Sequence, residues 1–148
     1  MALTKVTSNV LADNAVTTGK ILDSNVTTGK LATSSVTSVK VGTEFTTASA
    51  LTAAATIAVD YTAAQVFTLT PNANTTLNIT NAVIGVSKVI VVTGAGGSYT
   101  VGFTVGGTAG TFNRMSGEYD DTAGKKNFIQ ITCVAATEFW YSISQIAV

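Results

Sequence analysis

The sequence predicts an all-β protein in two parts. The first is an N-terminal repeat, read as an oligomeric stalk or an extended arm, and the second is a C-terminal antiparallel β-sandwich or jelly roll. Three observations lead there. A Val-Thr pair recurs every ten residues from Val6 to Val36. From Thr56 onward, short runs alternate apolar and polar residues and are broken by Gly, Asn and the single Pro71, which is the grammar of strands and turns. No segment reads as a helix of substance, and the chain is rich in Thr, Ala and Gly, with only 11% charged residues, a composition suited to dense β-structure and protein contact.

The repeat, residues 1–45, comes first. Val6, Val16, Val26 and Val36 each precede a Thr, and Leu11, Ile21, Leu31 and Val41 follow five residues after each valine. Lys20, Lys30 and Lys40 fill one column and Asp13 and Asp23 another. Fixed-period self-similarity of this kind marks a repeat architecture. A step of five turns an α-helix by about 500°, which scatters the aliphatics around it. In a single flat strand an odd step alternates faces. The Val-Thr-Thr runs with Gly19 and Gly29 further disfavour a helix. One copy has too little apolar surface to offset its ordering entropy. Several copies in parallel register bring each aliphatic against its counterparts on a common axis and leave Thr, Ser, Lys and Asp outside. The eight aliphatics Val6, Leu11, Val16, Ile21, Val26, Leu31, Val36 and Val41 are therefore the candidate oligomerisation residues. An arm that orders on a partner surface and a plain flexible linker are the alternatives.

The blocks VTTGKILDSN and VTTGKLATSS resemble the decapeptide-type repeats of bacteriophage tail fibres and other virion fibres. The resemblance covers about a quarter of the chain, and it implies a homotrimer that contacts other virion proteins of the capsid or tail.

Residues 46–55 read as a small-residue neck, with Phe45 as the bulky end of the repeat and a short helical turn as one option for the alanines. The head, residues 56–148, has strand candidates at Thr56–Val59, Gln65–Thr70, Thr75–Thr80, Ser87–Thr93, Ser98–Val105, Thr111–Met115, Phe128–Val134 and Glu138–Ile146. Ser87–Thr93 is almost wholly apolar and reads as a central strand covered on both faces. Gly94-Ala95-Gly96-Gly97 reads as a tight hairpin turn. Strands at this spacing predict the antiparallel sandwich. Phe67–Thr70, Asn74–Ile79, Ile90–Gly97 and Trp140–Ile143 also resemble a C-terminal module of phage fibre proteins, with an F-T-L-T strand, a V-x-V-T-G-x-G-G hairpin and a final W-Y-S-I strand.

Composition excludes several function classes. Formal net charge is zero and no basic run exists, so no nucleic-acid partner is expected. Histidine is absent, which removes the commonest general base and metal ligand. Cys133 is the single cysteine and reads as a buried thiol in an apolar strand. The start has no apolar signal region and no run nears the roughly eighteen apolar residues of a spanning helix, so neither export by a standard route nor membrane insertion is expected.

Site chemistry is sparse. The glycines at 94–97 lack the Lys-Ser or Lys-Thr and the following helix of a phosphate loop. Glu118, Asp120 and Asp121 lack a calcium-loop pattern and read as a solvated loop. Trp140 and Tyr141 point to opposite faces of one strand, one toward the core and the other free for a sugar or a neighbouring subunit. Tyr119, Asp120, Trp140 and Tyr141 are the only candidates for a ligand surface. No catalytic residue, cofactor or metal site is expected.

The sequence reading is thus a non-enzymatic virion structural protein, made in the host cytoplasm. Forty residues reach at most ~130 Å even when extended, which suits a short head fibre, a capsid decoration protein or a tail-tip piece. The alternative is a tail-fibre tip that binds a receptor or a host surface glycan.

Overall fold

The computed structural model describes residues 17, 19, 21, 25–33, 35–37 and 40–146. The chain divides into two compact units, Met1–Lys40 and Val41–Val148. In the first, two blocks ten residues apart carry the same bonds. Lys30 N–H donates to the Thr27 carbonyl and Lys40 N–H to that of Thr37, each at 2.9 Å. The Lys30 ammonium donates to the Asn25 carbonyl at 2.6 Å and the Lys40 ammonium to the Ser35 carbonyl at 2.7 Å. Lys30 and Lys40 therefore have a local role: each side chain folds back five residues and braces the tight turn before it. Thr28–Lys30 forms a 3-10 turn. Val6, Leu11 and Val16 lie outside the described residues.

The second unit opens with a helical turn, α1 (Thr43–Thr46), and continues through β1 (Ala48–Ala50), β2 (Thr56–Asp60), β3 (Val66–Leu69), β4 (Thr75–Thr80), β5 (Ser87–Thr93), β6 (Val101–Val105), β7 (Thr111–Ser116), β8 (Lys126–Ala135) and β9 (Glu138–Ile146). The helical turn thus precedes the alanines of the neck, and Ala48–Ala50 is a strand.

All-β is correct, but the antiparallel sandwich or jelly roll is not. Strands β1, β3 and β5 stack in parallel, as do β2, β4 and β6. The chain crosses from one sheet to the other and back, advancing one strand spacing per coil, with about twenty residues in each, so the fold is a β-solenoid. Ala48 pairs with Val66 and Val66 with Val89 in one sheet, while Thr56 pairs with Thr76 and Thr75 with Val101 in the other. The larger sheet has the order β1-β3-β5-β8-β9-β7 and the smaller β2-β4-β6. Among these strands, only β5 with β8 and β8 with β9 pair antiparallel. Gly94–Gly97 is accordingly an arch between two sheets rather than a hairpin.

The alternation read from the sequence sets the core. Phe67, Ile90, Ile129 and Ile143 lie opposite one another across four strands and all are buried. Ile57 and Val59 stack on Leu77 and Ile79, also buried. Phe112 stacks on Phe139 at 5.1 Å between ring centroids and on Phe103 at 5.3 Å. A row of like apolar residues removes its shared surface from water at each coil, which stabilises the stack by roughly 25 cal/mol per Å² buried.

Candidate functional site

Strand β5 alternates Lys88, Ile90 and Val92 on its inward face. Lys88 is therefore carried into the interior by the same period that buries the isoleucine and valine, and it is 1% exposed. Its ammonium donates to the Glu44 carbonyl and reaches Gln65 Oε1 only at 3.5 Å. The Phe45 ring lies 5.3 Å away and the Tyr61 ring 5.8 Å, measured to the centroids. Among the described residues, no carboxylate comes within ion-pairing distance of Lys88. Burial lowers the Lys88 pKa, and the neighbouring Glu44 charge partly offsets that.

Beside the ammonium is a cavity of about 160 Å³, lined chiefly by apolar surface, to which Phe45, Tyr61, Val83 and Val86 contribute along with Glu44, Thr62 and Asn81. Tyr61 is buried, and its hydroxyl has no hydrogen-bond partner. Burial raises its pKa far above the ordinary tyrosine value, with the Cys133 sulfur adding to the effect. Thr62 and Asn81 both donate to the Asp60 carboxylate, Thr62 N–H at 2.9 Å, its hydroxyl at 2.7 Å and Asn81 Nδ2 at 3.0 Å. The Asn81 bond, with those from Thr62, holds the Asp60 carboxyl below its ordinary pKa.

A second concavity is an open polar cleft of about 730 Å³, which Tyr99, Tyr119, Asp120, Asp121 and Gln145 help to line. Asp121 ties its two loops together. Its carboxylate accepts Ala95 N–H and Tyr99 N–H at 2.9 Å each and the Tyr119 hydroxyl at 2.7 Å. Burial pushes this carboxyl up, but the donors from Ala95, Tyr119, Tyr99 and Gly97 outweigh it and the net pKa is lowered. The buried Asn127 accepts Asp120 N–H and donates to the Asp120 carbonyl. Glu118 pairs with Arg114 at 2.9 Å, and Asp120 Oδ1 accepts Thr122 N–H. The acidic residues of this loop are thus committed to protein donors, and no group of three metal-ligating side chains forms among the described residues.

The candidate ligand residues divide. Tyr119 and Asp120 meet in the cleft. Trp140 and Tyr141 do take opposite faces: Tyr141 turns inward, 5.0 Å from Phe103 between ring centroids, and Trp140 is exposed, with its Nε1 donating to Glu138 at 2.8 Å. Trp140 stands on the outer face of the larger sheet opposite Thr132, in a field that also carries Val89, Val91, Phe128, Gln130 and Ser142, with Glu138 and Lys126 as the charged residues at its borders. Of the candidate oligomerisation residues, Ile21, Val26, Leu31, Val36 and Val41 are all exposed in the single chain. Cys133 is buried and donates to the Ala135 carbonyl.

The Lys88 cavity was not among the sequence-derived candidates, although its signal was present: a lysine in the buried column of the most apolar strand. Asp121 and Asn127 carried no such signal, since their partners lie on distant loops. The chain matches no protein-family model, no curated protein and no solved structure.

Proposed function

We propose that the protein is a non-enzymatic structural component of a bacteriophage virion, a short fibre or capsid decoration protein that assembles as a homotrimer through its N-terminal repeat. The observation that carries this reading is the repeat's exposed aliphatic column. Val26 is 52% exposed and Val36 57%, in blocks whose turns are otherwise braced by their own lysines. An apolar residue recurring at fixed spacing and left exposed by the described residues suits a partner that repeats in the same register, and identical copies meet that condition. The outer face around Val91, Phe128 and Trp140, bordered by Glu138 and Lys126, is sparsely charged and likewise suited to protein contact. Native mass spectrometry of the full chain tests the proposal. Three copies are expected, with monomers after deletion of residues 1–45. A monomeric full chain at micromolar concentration overturns it and favours an arm that orders on another protein.

A second reading has its own support. The cleft that Tyr99 and Tyr119 line with Asp120 sets aromatic side chains beside polar groups, the combination that neutral sugars use. In that reading the chain is a fibre tip that binds a host glycan, and a glycan array probed with wild type and with Tyr119→Ala separates the two.

A further inference from the structure

The Lys88 cavity combines features that ordinary core packing avoids. A buried ammonium has three donors, and here one is taken by the Glu44 carbonyl, one reaches Gln65 at only 3.5 Å, and the third has no hydrogen-bond acceptor among the described residues, only the Phe45 and Tyr61 rings nearby. A buried tyrosine hydroxyl on the same wall is also unpaired. Unpaired buried donors are costly, and together with empty space they describe a preformed receptor. We infer that this cavity binds a small aliphatic monocarboxylate, whose head group takes the free Lys88 donor and whose tail lies between Phe45, Val83 and Val86.

The chemistry of the walls selects that class. The apolar lining favours a hydrocarbon tail over phosphate or sulfate, for which no second cation is at hand. An amine is repelled by the ammonium. A neutral alcohol supplies no counter-charge to a group that has no described carboxylate within ion-pairing distance. Two carboxylates stand nearby and set the limits. Asp60 is occupied by Thr62 and Asn81, and Glu44 contributes its carbonyl, not its carboxylate, to Lys88. A cavity of about 160 Å³ equals roughly five waters at about 30 Å³ each, a space suited to a carboxylate of butyrate to hexanoate size. Phe45 and Val83 are both exposed, so the cavity has a mouth at the surface. The inference is independent of the fibre reading.

The test titrates the full chain with hexanoate, 1-hexanol and hexylamine by calorimetry and saturation-transfer NMR. Hexanoate should bind once per chain, at least tenfold more tightly than 1-hexanol, and should raise the melting temperature. Lys88→Met should weaken hexanoate at least tenfold, while Lys126→Met, which removes an exposed lysine elsewhere, should leave it unchanged. Tyr61→Phe should weaken it severalfold. The absence of saturable hexanoate binding up to about 10 mM overturns the proposal and leaves the cavity to water. Equal affinity for hexanoate and 1-hexanol overturns it as well, as does unaltered binding by folded Lys88→Met. Should Lys88→Met fail to fold, the comparison of hexanoate with 1-hexanol on wild type decides alone.

Discussion

The ammonium of Lys88 lies 5.3 Å from the ring centroid of Phe45, so the bulky residue that closes the ten-residue repeat covers the only buried lysine among the described residues. The contact joins the helical turn at Thr43–Thr46 to a central strand of the solenoid, and it is made by residues far apart in sequence. Phe45 remains about half exposed, which makes it a removable cover. Phe45→Ala should lower stability by about 1 kcal/mol, the scale of a partly shielded cation–π contact. It should also speed acylation of Lys88 in peptide mapping. Unchanged labelling would show that Phe45 does not shield the amine.

Lys88 itself should cost the fold something at neutral pH. Burial lowers its pKa, so between the folded value and the unfolded value of about 10.4 the unfolded chain binds more protons, and stability rises with pH across that window. Lys88→Met removes the group without shortening the side chain much. It should therefore match or exceed wild type in urea unfolding at neutral pH, and wild type should gain on it as pH approaches 10. The neighbouring Tyr61 and Cys133 are both pushed up by burial, and they are common to the two proteins, so their titration cancels. A gap that widens in favour of Lys88→Met as pH rises would contradict the burial account.

Asp121 should act in the opposite direction. Its carboxyl is lowered on balance, so its contribution is present above the unfolded value of about 3.9 and is lost as pH falls through the folded value. Asp121→Asn replaces an acceptor facing several N–H and O–H donors with an amide. The expected loss is about 2 kcal/mol at neutral pH, in the range for hydrogen bonds to a charged group. The two proteins should converge in acid. A constant difference at all pH values would mean that shape rather than charge holds the loops.

The arch at Gly94 gives a steric test. A Cβ built on Gly94 would run into the backbone carbonyl of Thr122, whereas one on Gly102 meets nothing within 4 Å. Gly94→Ala should cost about 1–3 kcal/mol, as overpacking does, and Gly102→Ala should change little. Thermal unfolding of the pair side by side measures the difference, and equal melting temperatures would count against the close packing of the two loops.

The repeat has a register test. Val26 and Thr27 are both exposed in the single chain, so only assembly can tell them apart. If valines meet on an axis, Val26→Asp places like carboxylates together in an apolar layer, where they raise one another's pKa. Val26→Asp should then dissociate the oligomer at neutral pH with partial recovery in acid, and Thr27→Asp should remain within about 0.5 kcal/mol of wild type. Identical sedimentation of the two variants would remove the inward face on which the fibre reading rests.

The sequence by itself determined where strands β2 to β9 form and which side chains they bury, although β1 lay hidden in the small-residue neck. Leu77 and Ile79, or Ile90 and Val92, alternate with polar or outward residues, and a strand has no other way to sort them. It also determined the ten-residue period, in which Lys30 and Lys40 each brace a recurring turn. The tertiary structure alone decided that strands follow one another in parallel coils. Period-two alternation states which face a residue takes but not the direction of the neighbouring strand, and segments of this length can close as hairpins or as coils. The same limit hid the sites. Lys88 becomes a receptor only when Phe45 and Tyr61 close over it, and Tyr119 lines one cleft with Tyr99 because Asp121 joins their two loops. Such contacts depend on which elements share an edge, a relationship that local residue patterns do not encode.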